Sequence, residues 1–213
     1  MASVNLSQLP LSDRPLRRFA QLFVGLALYG ASMGLMVRAG MGLDPWDVLH
    51  EGLTDRIGLS FGTITAITGA VVLLAWLPLR QMPGIGTVAN VVVIALSVDA
   101  TLAVLPDLHG LLPQFVAMLA SVVLNGFACA VYIGARLGPG PRDGLMTGLS
   151  ARTGWSIRLV RTGIEITVLA LGWLLGGTVG IGTVVYALAM GPIVQAFLPS
   201  VALRAPTRVQ TPS

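Results

Sequence analysis

The chain alternates long apolar stretches with short polar segments that are rich in Gly, Pro and Arg. Six of the apolar stretches are long enough to cross a bilayer, which takes about 20 residues of α-helix. They cover residues 19–37, 61–79, 86–105, 112–133, 157–175 and 180–198. The pattern predicts an all-α integral membrane protein with six transmembrane helices.

One polar segment occurs twice. Residues 42–60 return as residues 138–156 at an offset of 96 positions, and Gly84-Ile-Gly-Thr-Val returns unchanged at 180–184 with the same offset. A constant offset over most of the chain indicates an internal duplication. The sequence therefore predicts two three-span repeats, 19–106 and 112–199, flanked by an N-terminal segment (1–18) and a tail (200–213).

The arginines predict how the repeats are oriented. With the N-terminus in the cytoplasm, the cytoplasmic segments hold eleven arginines and the opposite segments hold only Arg38 and Arg56. This bias places both termini in the cytoplasm. Because each repeat has an odd number of spans, the second enters the membrane from the opposite side. The expected fold is an inverted repeat, an architecture that recurs in secondary transporters.

Each copy of the polar motif predicts a short helix. Asp44 is suited to the N-cap, Pro45 to the first helical position, and Gly58 to the end of the helix. The helix has about a dozen residues, too few to span, so it is either re-entrant or interfacial. In the re-entrant interpretation its N-terminus faces a central cavity. In the other, Asp47 and Asp143 only cap helices that pack at the interface.

Six residues are candidates for substrate binding. Asp47 and Asp143 occupy equivalent motif positions, while Asp99 and Glu165 lie within predicted spans, where a carboxylate is unfavourable unless it has a role. Glu165 also lies four residues after Arg161, which leaves a structural ion pair as the alternative. Two further residues, Arg142 and Arg38, are the candidate contacts for an anionic solute.

Composition narrows the classes of function. Apolar residues make up 54% of the chain, charged residues 10%, and the mean hydropathy is +0.83. The net charge of +4 comes from arginines beside apolar spans, without the basic, aromatic-interleaved stripe of a nucleic-acid interface. One cysteine and two histidines give no metal-ligand pattern. We expect no nucleic acid, no cofactor, no metal and no enzymatic activity.

Three segments also carry a family resemblance: residues 42–53, 58–63 and 138–149. In these motifs, and over about residues 19–199, the chain resembles the YczE/YyaS/YitT group of bacterial membrane proteins. The resemblance implies a multi-pass inner-membrane protein. Some members of the group are linked to production of secreted peptide antibiotics, which implies an accessory role as one function to consider.

Two functions follow from the sequence. The first is a transporter or permease-like protein for an unidentified small solute, an anion being one expectation, with its site at the interface of the repeats. It requires the candidate carboxylates to face a shared cavity. The alternative is a non-transporting membrane partner of a biosynthetic or signalling complex, favoured by the scarcity of polar residues in the spans. A homodimer is compatible with both.

Overall fold

The computed structural model describes residues 13–203, and this part of the chain is all-helical. The prediction of an all-α protein is confirmed. The eight helices are Pro15–Ala39 (α1), Pro45–Ile57 (α2), Phe61–Leu79 (α3), Ile85–Val104 (α4), Leu111–Gly134 (α5), Pro141–Thr153 (α6), Ile157–Leu175 (α7) and Ile181–Val201 (α8). The C-terminal tail predicted from residue 200 lies mostly outside the described residues.

Five of these helices, α1, α3, α4, α5 and α8, are long and apolar enough to cross a membrane. This supports a multi-pass membrane protein. The sixth predicted span forms α7 with the expected bounds, but Arg158, Arg161 and Glu165 make it more polar than the other five. By length and composition, the structure thus supports five spans rather than six.

The ends of the short helices follow from local chemistry. The Asp44 carboxylate accepts hydrogen bonds from the backbone N–H groups of Trp46 (2.8 Å) and Asp47 (3.0 Å), which satisfies two donors at the start of α2. Gly58 and Gly154 end α2 and α6 with φ of 78° and 74°, a conformation that glycine adopts without strain. The predicted caps at Asp44 and Gly58 are therefore confirmed, and Gly154 ends α6 in the same way.

An antiparallel pair of helices, α1 and α5, forms the centre of the protein. Arg18 near the start of α1 donates to the carbonyl of Ala135 just beyond α5, whereas Ser32 further along α1 accepts from Asn125 at 2.8 Å. Between them, Gly25 lies against the backbone of Tyr132 so closely that a Cβ would stand 2.7 Å from its nitrogen. Small residues thus let the two equivalent helices approach in opposite directions.

The other helices pack in matching pairs. Helix α1 contacts α4 as α5 contacts α8, and α2 contacts α7 as α6 contacts α3. The repeated Gly-Ile-Gly-Thr-Val segments anchor this arrangement: Gly86 donates to the carbonyl of Leu137 (3.0 Å), and Gly182 donates to that of Met41 (2.8 Å). These pairs are equivalent at the 96-residue offset. The repeated glycines make close backbone contacts at the starts of α4 and α8.

Candidate functional site

An internal cavity of about 310 Å³ lies where the N-terminal ends of α2 and α6 meet. The first motif copy contributes Asp44 and Trp46 to its wall, and the second contributes Arg142 and Asp143. The long helices add three tyrosines: Tyr29, Tyr132 and Tyr186. Its size is near the lower limit of small-molecule sites, about 300–1,000 Å³. Both copies of the duplicated motif are therefore needed to form it.

Arg142 is held between two carboxylates of the other motif copy. Its guanidinium nitrogens lie 3.6 Å from an oxygen of Asp44 and 3.7 Å from an oxygen of Asp47. The same group lies over the indole of Trp46, 4.9 Å from the ring centroid, in a cation–π contact. Because Trp46 and Arg142 occupy equivalent positions in the repeat, this contact joins the two motifs at their centre.

Asp47 and His50 form a buried pair on α2, with 3.1 Å between Asp47 Oδ1 and His50 Nδ1. Burial raises the pKa of Asp47 to about 6, although Arg142 opposes the shift. Burial also lowers the pKa of His50 to about 3, so the imidazole is neutral at physiological pH. A neutral imidazole with its proton on Nδ1 donates to Asp47. The face of α2 that carries Asp47 and His50 is thus an interior surface.

Asp143 lines the cavity without an ion-pair partner. The Tyr132 hydroxyl donates to its carboxylate at 3.3 Å, and no basic nitrogen lies within 4.0 Å of it among residues 13–203. Burial raises the pKa of the Asp143 carboxyl, and the hydrogen bond from Tyr132 opposes the shift. Among the described residues, Asp143 is therefore the carboxyl group of this site that no cation contacts directly.

Glu165 also lines the cavity, but it has a partner on its own helix. Arg161 Nε donates to Glu165 Oε1 at 2.8 Å, one helical turn away. The ion pair considered as the alternative from the sequence is present. Both side chains stand at the cavity wall and are partly exposed.

The two remaining candidates, Asp99 and Arg38, lie away from this cavity. Asp99 accepts from Ser60 Oγ (2.6 Å) and from the N–H of Gly62 (2.7 Å), so it caps α3 from α4. Arg38 pairs with the Asp107 carboxylate and donates to the carbonyl of Leu102. Both line a separate open depression instead. The structure thus brings Asp143, Arg142 and Glu165 to the cavity wall, holds Asp47 against Arg142, and leaves these two apart.

Sequence reasoning missed several residues of the site. Asp44 was assigned only as a cap, yet the same carboxylate also faces Arg142. Trp46 and the tyrosines of the long helices are not among the residues that the sequence selects, although they line the cavity. A signal was available: the repeat register pairs Trp46 with Arg142, an aromatic ring with a cation.

The cavity wall differs between the two repeats. Helix α3 packs against α4, but α7 and α8 make no comparable contact over the described residues. On α4, Ala95 and Val98 are 7% and 0% exposed. Their equivalents on α8, Gly191 and Val194, are exposed and half-buried. The cavity is closed between α3 and α4 and open between α7 and α8.

The closed side depends on the close approach of Gly62 to Asp99 and on the hydrogen bonds that Asp99 accepts from α3 and the residue before it. A Cβ at Gly62 would stand 2.6 Å from the Asp99 carboxyl carbon, so glycine is needed for α3 to approach α4 and accept this cap. On the open side the equivalent residues are Arg158 and Gln195, both exposed. Ser156 caps α7 only through the N–H of Leu159 (3.3 Å). The second repeat therefore lacks the bond that joins the helices of the first.

These features define a polytopic helical membrane protein with a central polar site. The chain belongs to a family described as a family of unknown function (DUF6198), whose model matches residues 16–199. No solved structure matches it.

Three curated proteins are similar to it. An uncharacterized protein of Haemophilus influenzae is 40% identical over 83% of this chain and 81% of its own. Two proteins of Bacillus subtilis follow: the uncharacterized membrane protein YczE, 35% identical over 85% of this chain and 86% of its own, and the uncharacterized protein YyaS, 26% identical over 84% and 90%. The resemblance to YczE and YyaS is confirmed.

Proposed function

We propose that this protein is a transporter or permease-like protein for a small solute, with its site in the cavity between two inverted repeats. The observation that carries the proposal is that one cavity is formed by both motif copies, with one side closed and the equivalent side open. A transporter of this type exposes a central site by moving one repeat against the other.

The inverted arrangement rests on the central helices. α1 and α5 are equivalent at the 96-residue offset and run antiparallel, while the other helices pack in equivalent pairs. Two copies related in this way enter a membrane from opposite sides. With α7 included as the sixth span, the arginine distribution supports two cytoplasmic termini and a location in a bacterial inner membrane.

This orientation gives each side of the cavity a direction. The α3–α4 contact at Ser60 and Asp99 lies on the outer side, and the opening between the start of α7 and the end of α8 lies on the cytoplasmic side. The described conformation is then inward-open. In the outward-open state, the first repeat takes the open arrangement and the second takes the closed one. Helix α7 then packs on α8, and the hydrogen bonds to Asp99 are broken.

A second candidate is a non-transporting partner of a biosynthetic or signalling complex. The observation in its favour is that most charges at the centre are satisfied within the protein, since Arg142 is paired with Asp44 and Asp47. Such a network also serves as a structural link between the two motifs. Access to the cavity separates this function from transport, because only transport requires access that changes sides.

Cys129 supplies a test of access, since it is the one cysteine of the chain and lines the cavity. Membrane-impermeant methanethiosulfonate reagents are applied to inside-out vesicles and to intact spheroplasts, and labelling is followed by intact mass. We expect faster labelling from the cytoplasmic side, and Asp99→Asn to increase labelling from the outside. Cys129→Ala is the control for other modification. Equal labelling from both sides, unchanged in Asp99→Asn, contradicts the proposed transport.

A further inference from the structure

The charges around the cavity are not balanced. Asp44 and Asp47 face the single guanidinium of Arg142, and Glu165 is matched by Arg161. Asp143 accepts a hydrogen bond from Tyr132, and no basic nitrogen of the described residues lies within 4.0 Å of it. Around this site the described residues thus set four carboxyl groups against two guanidinium groups.

Neither arginine expected to bind an anion is available for one. Arg142 has both carboxylates within 4.0 Å and an aromatic ring against it, so an anion would compete with groups already in place. Arg38 lies outside the cavity on Asp107. An anion entering the cavity would also approach the unpaired carboxylate of Asp143. The electrostatics therefore oppose the anionic solute expected from the sequence.

The remaining lining suits a cation. Tyr29, Tyr132 and Tyr186 contribute aromatic rings to the lining, and the faces of such rings attract ammonium groups. Tyr132 donates to the Asp143 carboxylate at 3.3 Å, and Tyr29 stands edge to face with Tyr132, with ring centroids 6.0 Å apart. A carboxylate among oriented aromatic rings is a recognised arrangement for organic cations.

One further group is incompletely satisfied. Trp46 is 6% exposed and lines the cavity, yet its indole N–H has no acceptor among residues 13–203. A buried donor without a partner is unfavourable, so a ligand or a second conformation that supplies an acceptor is favoured. This points to a solute that carries an oxygen acceptor as well as a cationic group.

We propose that the cavity binds a small organic cation, an amine or quaternary ammonium compound that also carries a hydroxyl or similar oxygen, with its cationic group against the carboxylate of Asp143. The cation offsets the excess negative charge, and the oxygen offers an acceptor to Trp46. The inference rests on the proposed function for its physiological meaning, but binding can be measured without transport.

The test is a titration of the purified protein in detergent by isothermal calorimetry, at constant ionic strength. The probes are 2-hydroxyethylammonium, ethylammonium and tetramethylammonium as chlorides, with sodium acetate and sodium sulfate as anions. We expect saturable binding of the cations, tightest for 2-hydroxyethylammonium, and none of the anions. Asp143→Asn should weaken cation binding about tenfold or more, because it removes a charged partner.

Two variants keep the test interpretable. Asp55→Asn removes the same charge from an exposed position of α2 and should leave binding unchanged. Asp143→Glu keeps the carboxylate and should bind the cations more tightly than Asp143→Asn does. Size-exclusion profiles and melting temperatures check that all variants fold.

Anion binding, equal loss in Asp55→Asn and Asp143→Asn, or no cation binding by folded wild-type protein each overturn the cation site. These outcomes are separate from those of the access experiment. Sided labelling of Cys129 together with anion binding would retain transport and reject the cation. Cation binding without sided labelling would retain the binding site and reject transport.

Discussion

The two repeats share their backbone contacts but differ in the side chains that those contacts carry. Gly86 and Gly182 make equivalent hydrogen bonds to opposite repeats, whereas the equivalent positions Asp99 and Gln195 behave differently. Asp99 joins α4 to α3, and Gln195 stands exposed at the opening beside α7. The glycine contacts at the starts of α4 and α8 thus maintain the fold that both repeats share. The polar residues that differ between the repeats determine which side is closed.

The side chains at the contacts between the two repeats also differ at equivalent positions. Position 46 is Trp and its equivalent 142 is Arg, and the two side chains contact each other. Position 76 is Trp and its equivalent 172 is Gly: Trp76 covers Gly144 on α6, whereas Gly172 lies against the backbone of α2. In each case one repeat has the large or aromatic group and the other has its complement. Exchanging single residues between repeats therefore tests the comparison.

The largest effect is expected from Arg142→Gln. Loss of the guanidinium leaves Asp44 and Asp47 buried beside each other without a counter-ion, and breaking a buried pair costs about 3–5 kcal/mol. The free energy of unfolding in mixed micelles should fall accordingly. Arg158→Gln, at an exposed position of α7, is the matched control and should change little. Equal effects of the two variants would contradict a central role for this ion cluster.

Gly144→Val should be next in size. It introduces into α6 the residue that α2 has at the equivalent position 48, but on α6 a Cβ would overlap the indole ring of Trp76. Overpacking of this kind typically costs about 1–3 kcal/mol. Trp76 is 1% exposed and donates to the carbonyl of Pro141 at 3.0 Å, so it has little room to move. Thermal unfolding measures the loss.

The control for that variant is Gly163→Ala on α7. A Cβ at Gly163 meets nothing within 4 Å, and alanine favours a helix by about 1 kcal/mol over glycine. The melting temperature should stay the same or rise. A loss in this variant as large as that in Gly144→Val would show that glycine has a general role here, not one set by Trp76.

A smaller effect, on conformation more than on stability, is expected from Asp99→Asn. The amide retains one acceptor for Ser60 or Gly62 but loses the charge, and hydrogen bonds to charged groups contribute about 1.5–3 kcal/mol. The closed side should open more often, which proteolysis or hydrogen exchange at the start of α3 would detect. Gln195→Asn, at the equivalent position of α8, should leave exchange in α3 unchanged.

Much of the fold could be predicted because it depends on local signals. The apolar pattern predicts the bounds of α3 and α7 at Phe61–Leu79 and Ile157–Leu175, and Asp44 and Gly58 cap α2 as expected. Caps and apolar length act within a few residues, so a sequence reports them directly.

The site could be predicted only in part, because its geometry depends on contacts between repeats. Asp143 and Arg142 could be selected as polar motif residues, but the pairing of Arg142 with Asp44 joins positions 98 residues apart. Asp99 was selected for its position in a predicted span, and hydrogen bonds to α3 explain that position. The open and closed sides could not be anticipated, since the duplicated sequence gives both repeats the same helices.

Distance measurements on both sides of the cavity test directly whether the α3–α4 side and the α7–α8 side open and close in alternation. In a cysteine-free background, spin labels are placed at the equivalent pairs Ile67/Ala100 and Gly163/Ala196, and pulsed electron paramagnetic resonance is recorded in lipid nanodiscs. We expect the α3–α4 label pair to be closer together than the α7–α8 label pair. In the Asp99→Asn variant, a population appears in which the first lengthens and the second shortens. If the two distances do not change together, or if the α7–α8 distance stays long in every sample, transport by alternate opening of the two sides is contradicted.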